Sequence, residues 1–187
     1  MGLGALKVLT EAVVRLTSLG SLTIQSCNKL KTLPRRLGKL EVLKQLALRG
    51  LDELQEMPDL IGLTALDSLT ISSCNKLKTL PRGLGKLEVL KQLALWGLDE
   101  LQEMPDLIGL TSLGILELEC GSKLRALPGG LGELPCIEAL TALHQLCLDV
   151  ADYAQGSRAF TALSRSLPCL QQQQVLRHRA SDVEYDV

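Results

Sequence analysis

Residues 16–62 read LTSLGSLTIQSCNKLKTLPRRLGKLEVLKQLALRGLDELQEMPDLIG, and residues 63–109 repeat that text with five changes at a fixed offset of 47 residues. The changes are Ser18/Ala65, Gly20/Asp67, Gln25/Ser72, Arg36/Gly83 and Arg49/Trp96. Self-similarity at such a period marks a solenoid, because one short unit cannot bury its apolar face alone and copies must stack to share a core.

Within each unit a shorter frame recurs. It appears as Leu19-x-x-Leu22-x-Ile24-x-x-Cys27, Leu43-x-x-Leu46-x-Leu48-x-x-Leu51, Leu66-x-x-Leu69-x-Ile71-x-x-Cys74 and Leu90-x-x-Leu93-x-Leu95-x-x-Leu98. A fifth follows at Leu113-x-x-Leu116-x-Leu118-x-x-Gly121 and a sixth at Leu143-x-x-Leu146-x-Leu148-x-x-Ala151. The frame resembles the leucine-rich repeat over residues 3–151. Its L-x-L centre predicts a short strand with leucines inward and the alternate residues outward, and successive strands predict one concave parallel sheet. Leu33-Pro34, Met57-Pro58, Leu80-Pro81, Met104-Pro105 and Leu127-Pro128 then end each extended segment in a turn or 3₁₀ arc. The expected fold is therefore an α/β leucine-rich-repeat horseshoe with a convex side of turns and a more helical C-terminal end.

Residues 1–151 read as a partial N-terminal repeat followed by six repeats, and residues 152–187 as a helical, degenerate repeat with a polar tail. Pro135 to Ala139 form an insertion in the sixth repeat. Ser157 to Ser166 reads as a helix, and Gln171 to Gln174 as either part of a degenerate seventh strand or a low-complexity linker. Leu3, Leu6, Leu9 and Leu16 look like half a repeat without a strand or a polar cap, which suggests a longer parent chain or a fragment.

Composition narrows the function. Aromatic residues make up 2% of the 187 residues, which suits thin layers filled by one repeated side chain better than a compact globule. The formal charge of −1 gives no net field toward nucleic acid or anionic lipid. Charged residues interrupt every apolar stretch before it could span a membrane, and no signal-peptide pattern opens the chain. Leu6 stands where a myristoylation signal needs Ser or Thr.

Cys27 and Cys74 occupy one position in two copies, two layers and so roughly 9–10 Å apart at strand spacing, too far for a disulfide. Buried, inert thiols in a reduced, cytoplasmic setting are expected. His144 and His178 do not stand at metal-ligand spacing with the cysteines, and no nucleophile-base pair can be located. Pro128-Gly129-Gly130-Leu131-Gly132 aligns with Pro81-Arg82-Gly83-Leu84-Gly85 and lacks the Lys-Ser/Thr of a phosphate loop. The expectation is a non-enzymatic chain with no cofactor and no metal.

Charge alternates between halves. Lys29, Glu53, Lys76, Glu100 and Lys123 share one repeat position, and Arg35, Asp59, Arg82 and Asp106 another. Stacked one strand apart, each residue would have opposite charges on both sides, whereas tandem copies of a single half would set like charges together.

The outward positions of the strands define the candidate surface. The last of them in each strand carries Gln25, Arg49, Ser72, Trp96, Glu119 and Asp149. The middle carries Thr23, Ala47, Thr70, Ala94, Glu117 and Cys147, and the first Ser21, Gln45, Ser68, Gln92, Ile115 and Gln145. Two of the five changes between the copies fall on the last row. Drift at exposed sites could place them there, but so could selection of a binding face. Trp and Arg are the residues most enriched at interface hot spots. The partner-binding residues are therefore read as Gln25, Arg49, Ser72, Trp96, Ile115, Glu117, Glu119 and Asp149, contacting a protein ligand on the concave face.

The wording L-x-x-L-x-I-x-x-C-x-x-L-x-x-L-P, in Leu19 to Pro34 and Leu66 to Pro81, is similar to the repeats of plant-type intracellular nucleotide-binding leucine-rich-repeat disease-resistance proteins. That resemblance implies a sensor of effectors that restrains a switch domain. It covers only the sensor part, since no nucleotide-binding domain stands in this chain. The even repeats, with Leu51, Leu98, Met57-Pro58 and Met104-Pro105, also approach cytoplasmic repeats that bind small GTPases, which implies a scaffold or signalling adaptor. A third alternative is the substrate-recognition part of a ubiquitin ligase.

Overall fold

A computed structural model describes residues 7–120, 123–125, 128–130 and 134. Five strands form one parallel sheet in chain order: β1 (Ser21–Gln25), β2 (Gln45–Arg49), β3 (Ser68–Ser72), β4 (Gln92–Leu98) and β5 (Ile115–Cys120). Each contains the L-x-L predicted for it. The expected sixth strand at Leu146 to Leu148, the insertion at Pro135 to Ala139, and the helix and degenerate repeat expected over residues 152–187 lie outside the described residues.

The register is unbroken through the core. Leu22, Leu46, Leu69, Leu93 and Leu116 are Cα partners in succession, as are Ile24, Leu48, Ile71, Leu95 and Leu118. Alternation sends these residues to one side of the sheet, where they meet Leu30, Leu54, Leu77 and Leu101 of the returning chain. Most of these leucines are fully buried, so truncating one, as in Leu69→Ala, should cost about 2–5 kcal/mol.

The convex side is thin, as the short repeats require. It holds 3₁₀ turns at Glu11–Arg15, Leu37–Lys39 and Arg82–Lys86, and no α-helix among the described residues. A second ladder runs beneath the sheet: Lys78 N donates to Gln55 O, Gln102 N to Lys78 O, and Arg125 N to Gln102 O. The glycines after the prolines permit this closeness. A Cβ at Gly62 would overlap the Gly38 carbonyl oxygen, and one at Gly109 that of Gly85, so neighbouring turns touch backbone to backbone.

In each of the first four repeats a left-handed residue follows the last outward-facing position of the strand; it ends β1, β2 and β3 and lies at the bulge within β4. Ser26 and Ser73 have φ of 55° and 52°, and Gly50 and Gly97 have φ of 63° and 57°. The odd repeats thus hold a serine in a conformation that the even repeats give to glycine. Cys27 and Cys74 follow, buried and unpaired, with each Sγ 3.4–3.5 Å from the carbonyl oxygen two residues back, Gln25 and Ser72 respectively.

The charge row forms differently from the expected continuous alternation. Among the described residues the ion pairs are Lys76 with Glu53, at 2.6 Å, and Lys123 with Glu100. Each glutamate bonds the lysine of the next repeat, so Lys29–Glu53 and Lys76–Glu100 do not close. In the other row the aspartates turn inward on their own chain: Ile61 N donates to Asp59 Oδ1 at 3.0 Å, and Ile108 N to Asp106 Oδ1 at 2.9 Å. A carboxylate holding an amide two residues on is an Asx turn, and it takes these groups away from Arg35 and Arg82.

Candidate functional site

Parallel pairing that keeps one register as far as Trp96 turns sequence positions into straight rows on the concave face. Gln25, Arg49, Ser72, Trp96 and Glu119 are Cα partners in succession, so they form one line across all five strands. Arg49 and Trp96 lie two strands apart on it, about 10 Å at strand spacing. Gln25 and Arg49 are exposed, Ser72 is half-buried, and Trp96 keeps 37% of its surface open. β4 runs on past Trp96, and its pairing with β5 shifts between Trp96 and Leu98, a bulge that falls at the left-handed Gly97.

The middle row is Thr23, Ala47, Thr70, Ala94 and Glu117, small until its last member. Ala94 is buried and Glu117 half-buried. The first row is Ser21, Gln45, Ser68, Gln92 and Ile115. Ser21 Oγ meets Gln45 Oε1 at 3.5 Å and Ser68 Oγ meets Gln92 Oε1 at 3.4 Å, long contacts that pair an odd strand with the even strand after it. Sequence reading placed these residues outward but did not see them as pairs; the alternation of Ser and Gln along the row was the available signal.

The structure thus brings Gln25, Arg49, Ser72, Trp96 and Glu119 into one row and sets Glu117 beside it. Ile115 is 43% exposed but lies at the opposite edge of the strand, four residues from Glu119, about 13 Å at strand rise. It shares the face with Trp96 without adjoining it. Asp149 lies outside the described residues. Arg49 is the only cation of the described row, and the half-buried Glu117 stands in the next row as the Cα partner of Ala94, so the face carries both signs of charge.

The other changes between the copies have different settings. Gly83 is buried, and a Cβ there would collide with Asp59 Oδ1 of the preceding repeat. Its counterpart Arg36 is exposed, and the position one unit before Asp59 carries Ala12 in place of the aspartate. This change is dictated by packing. Gly20 has nothing within 4 Å of an added Cβ, and Asp67 uses its backbone carbonyl as Gly20 does, accepting from the start of the next strand. Ser18 and Ala65 lie outside the strands.

Burial pushes the Cys74 thiol up to about 11, so it is protonated and unreactive near neutrality. Among the described residues no group of His, Cys, Asp or Glu is placed to hold a metal ion, and no helix is long and apolar enough to cross a membrane.

Neither a family model nor a curated protein matches the chain. Among solved structures it is similar to the leucine-rich repeat domain of the type III effector XCV3220 (XopL). Identity is 21% over 70% of this chain and 70% of that one, with a TM-score of 0.35.

Proposed function

We propose that this chain is a non-enzymatic protein-recognition module whose concave row from Gln25 to Glu119 contacts a protein partner, with Glu117 and Ile115 on the same face and Asp149 continuing the row. One observation carries the reading. Where forty-seven positions were duplicated, the two strand-borne side-chain changes, Gln25/Ser72 and Arg49/Trp96, are both on that row. The Arg36/Gly83 change, by contrast, is explained by Asp59. A half-exposed Trp has apolar area to bury, and Arg two strands away offers a fork of donors to a carboxylate. The partner surface that suits the row is apolar opposite Trp96, acidic opposite Arg49 and basic opposite Glu117.

The resemblance of the Leu19 to Pro34 wording to plant-type disease-resistance repeats makes effector sensing inside the cell the favoured biological setting. The even repeats, with their Leu51 and Met57-Pro58 variant, support a small-GTPase-binding adaptor as the second reading. The experiment is affinity measurement by calorimetry for a native partner with wild type, Trp96→Ala and Arg49→Ala. Loss of a hot-spot Trp should weaken binding by about 2 kcal/mol, some thirtyfold. A partner indifferent to both substitutions would show that the concave row is not the interface.

A further inference from the structure

The duplicated unit makes the concave face repeat every two strands, an interval of about 9.6 Å at a strand spacing of roughly 4.8 Å. Gln45 recurs as Gln92 at that interval, Thr23 as Thr70 and Ala47 as Ala94, while Arg49 gives way to Trp96. A ligand lying across the strands can use these groups together only if its own groups recur at the same interval. An extended strand repeats its side chains every two residues, about 6.6 Å, and two turns of α-helix rise about 10.8 Å. A polyproline II segment repeats every three residues, about 9.3 Å, and so stays in step with pairs of strands.

Hydrogen bonding separates the three conformations as well. Gln45 Oε1 and Gln92 Oε1 accept from the serine hydroxyls of the preceding strands, so each exposed carboxamide has its Nε2 group left to donate. Among the described residues neither Nε2 donates to the protein. A helix satisfies its own carbonyls and has little use for such donors. A polyproline II segment makes no internal hydrogen bonds and offers carbonyl oxygens at about the spacing of the two glutamines. Proline itself has no N–H to strand without a partner, and its ring presents a flat apolar face to an indole. The rows of Gln45 and Arg49 stand about 13 Å apart, which leaves one chain room to lie between them. Charge sets the order along that chain: Arg49 is exposed two strands before Trp96, and Glu117 stands one strand beyond it.

We propose that the concave face binds a proline-rich segment of its partner in the polyproline II conformation, lying across the strands. A proline of that segment packs on Trp96, an acidic residue three positions away pairs with Arg49, and a basic residue on the other side reaches Glu117. Carbonyl oxygens of the segment accept from Gln45 Nε2 and Gln92 Nε2. The inference names the class of ligand for the row and rests on the reading of that row as the interface.

The probe is the synthetic peptide Pro-Pro-Glu-Pro-Pro-Pro-Pro-Lys-Pro-Pro with blocked ends, titrated into the intact chain by calorimetry at low salt. The charges fix the order of groups and not the direction of the chain, so the reversed sequence is titrated too. One of the two should bind with a dissociation constant of about 10–500 μM. The same peptide with glycine for every proline keeps the charges but must be ordered on binding, and should bind at least about tenfold more weakly. Trp96→Ala should cost about thirtyfold. Arg49→Glu should cost about tenfold, and a peptide with Lys in place of its Glu should recover that loss. The inference is overturned if neither direction binds at millimolar concentration, if the glycine peptide binds as well, if Trp96→Ala changes nothing, or if the charge swap recovers nothing. A native partner that still loses affinity with Trp96→Ala while these peptides fail would keep the concave row as the interface and overturn only its proline-rich occupant. A native partner indifferent to both Trp96→Ala and Arg49→Ala would overturn the row itself.

Discussion

Lys76 Nζ stands 2.6 Å from Glu53 Oε1 in the repeat before it, while Glu100 in the repeat after it bonds Lys123 instead. The hydrogen bond from Lys76, and then its charge, hold the Glu53 carboxyl below its ordinary pKa. Reversing Glu53→Lys removes this link and leaves an unbroken run of positive charge from Lys29 through the substituted position to Lys76. A small drop in thermal midpoint is expected at low salt, shrinking as salt screens the exposed groups. A carboxyl whose folded pKa is depressed stabilises the fold above its unfolded pKa and loses that contribution as pH falls through the folded value. The difference between wild type and Glu53→Gln should therefore be present at neutral pH and vanish in acid; a difference that persists once both states are protonated would show another origin.

Cys74 gives the opposite pH dependence. Its thiol titrates near 9 when unfolded and about 11 in the fold, so the folded state holds the proton more tightly. The stabilisation is complete below pH 9 and is lost as pH rises toward 11, on the order of 2–3 kcal/mol by linkage. Denaturant titrations of wild type and Cys74→Ala across pH 8–11 should converge at the alkaline end. Labelling of Cys27 and Cys74 by a thiol reagent in the native protein should be slow and should speed up on unfolding.

The backbone contact between Gly62 and Gly38 leaves no room for a methyl group. Gly62→Ala must push two turns apart across the convex side and should cost about 1–3 kcal/mol in chemical denaturation. Gly20→Ala, where a Cβ meets open space, is the control and should change little.

Serine holds a left-handed conformation at Ser73 that glycine holds at Gly97. For an L-residue that conformation costs roughly 1–2 kcal/mol, partly offset by the greater chain entropy glycine must lose. Ser73→Gly should raise the midpoint slightly. Gly97→Ala should lower stability by about 1 kcal/mol or more, since its Cβ would also approach Ser73 N at 3.4 Å. Equal midpoints for all three proteins would mean the turn relaxes to another conformation.

How much of this could be read from the sequence depends on the reach of the interaction. The L-x-L frames located β1 to β5 and their partners because one face is buried, and a slip of one residue would turn every leucine to solvent. That same alternation identified the row containing Arg49 and Trp96. What the frames could not tell is how a polar group chooses among neighbours of similar distance. Asp59 and Arg82 suggest an ion pair as letters, yet the amide of Ile61 is closer in chain and costs less to reach. Likewise Glu53 has a lysine on either side, and only the structure shows that it selects Lys76. The Arg36/Gly83 change looked like any other surface substitution until Asp59 was found filling the space of the missing side chain.

Trp96 has a last consequence that concerns observation. It is the single tryptophan of the chain, and it is 37% exposed on the concave row between the register positions of Ser72 and Glu119. Tryptophan emission from this protein therefore comes from one side chain on one face. A molecule settling over that row changes the indole's contact with water and shifts the colour and intensity of its light. The unmodified chain thus carries a built-in optical marker for its proposed concave surface.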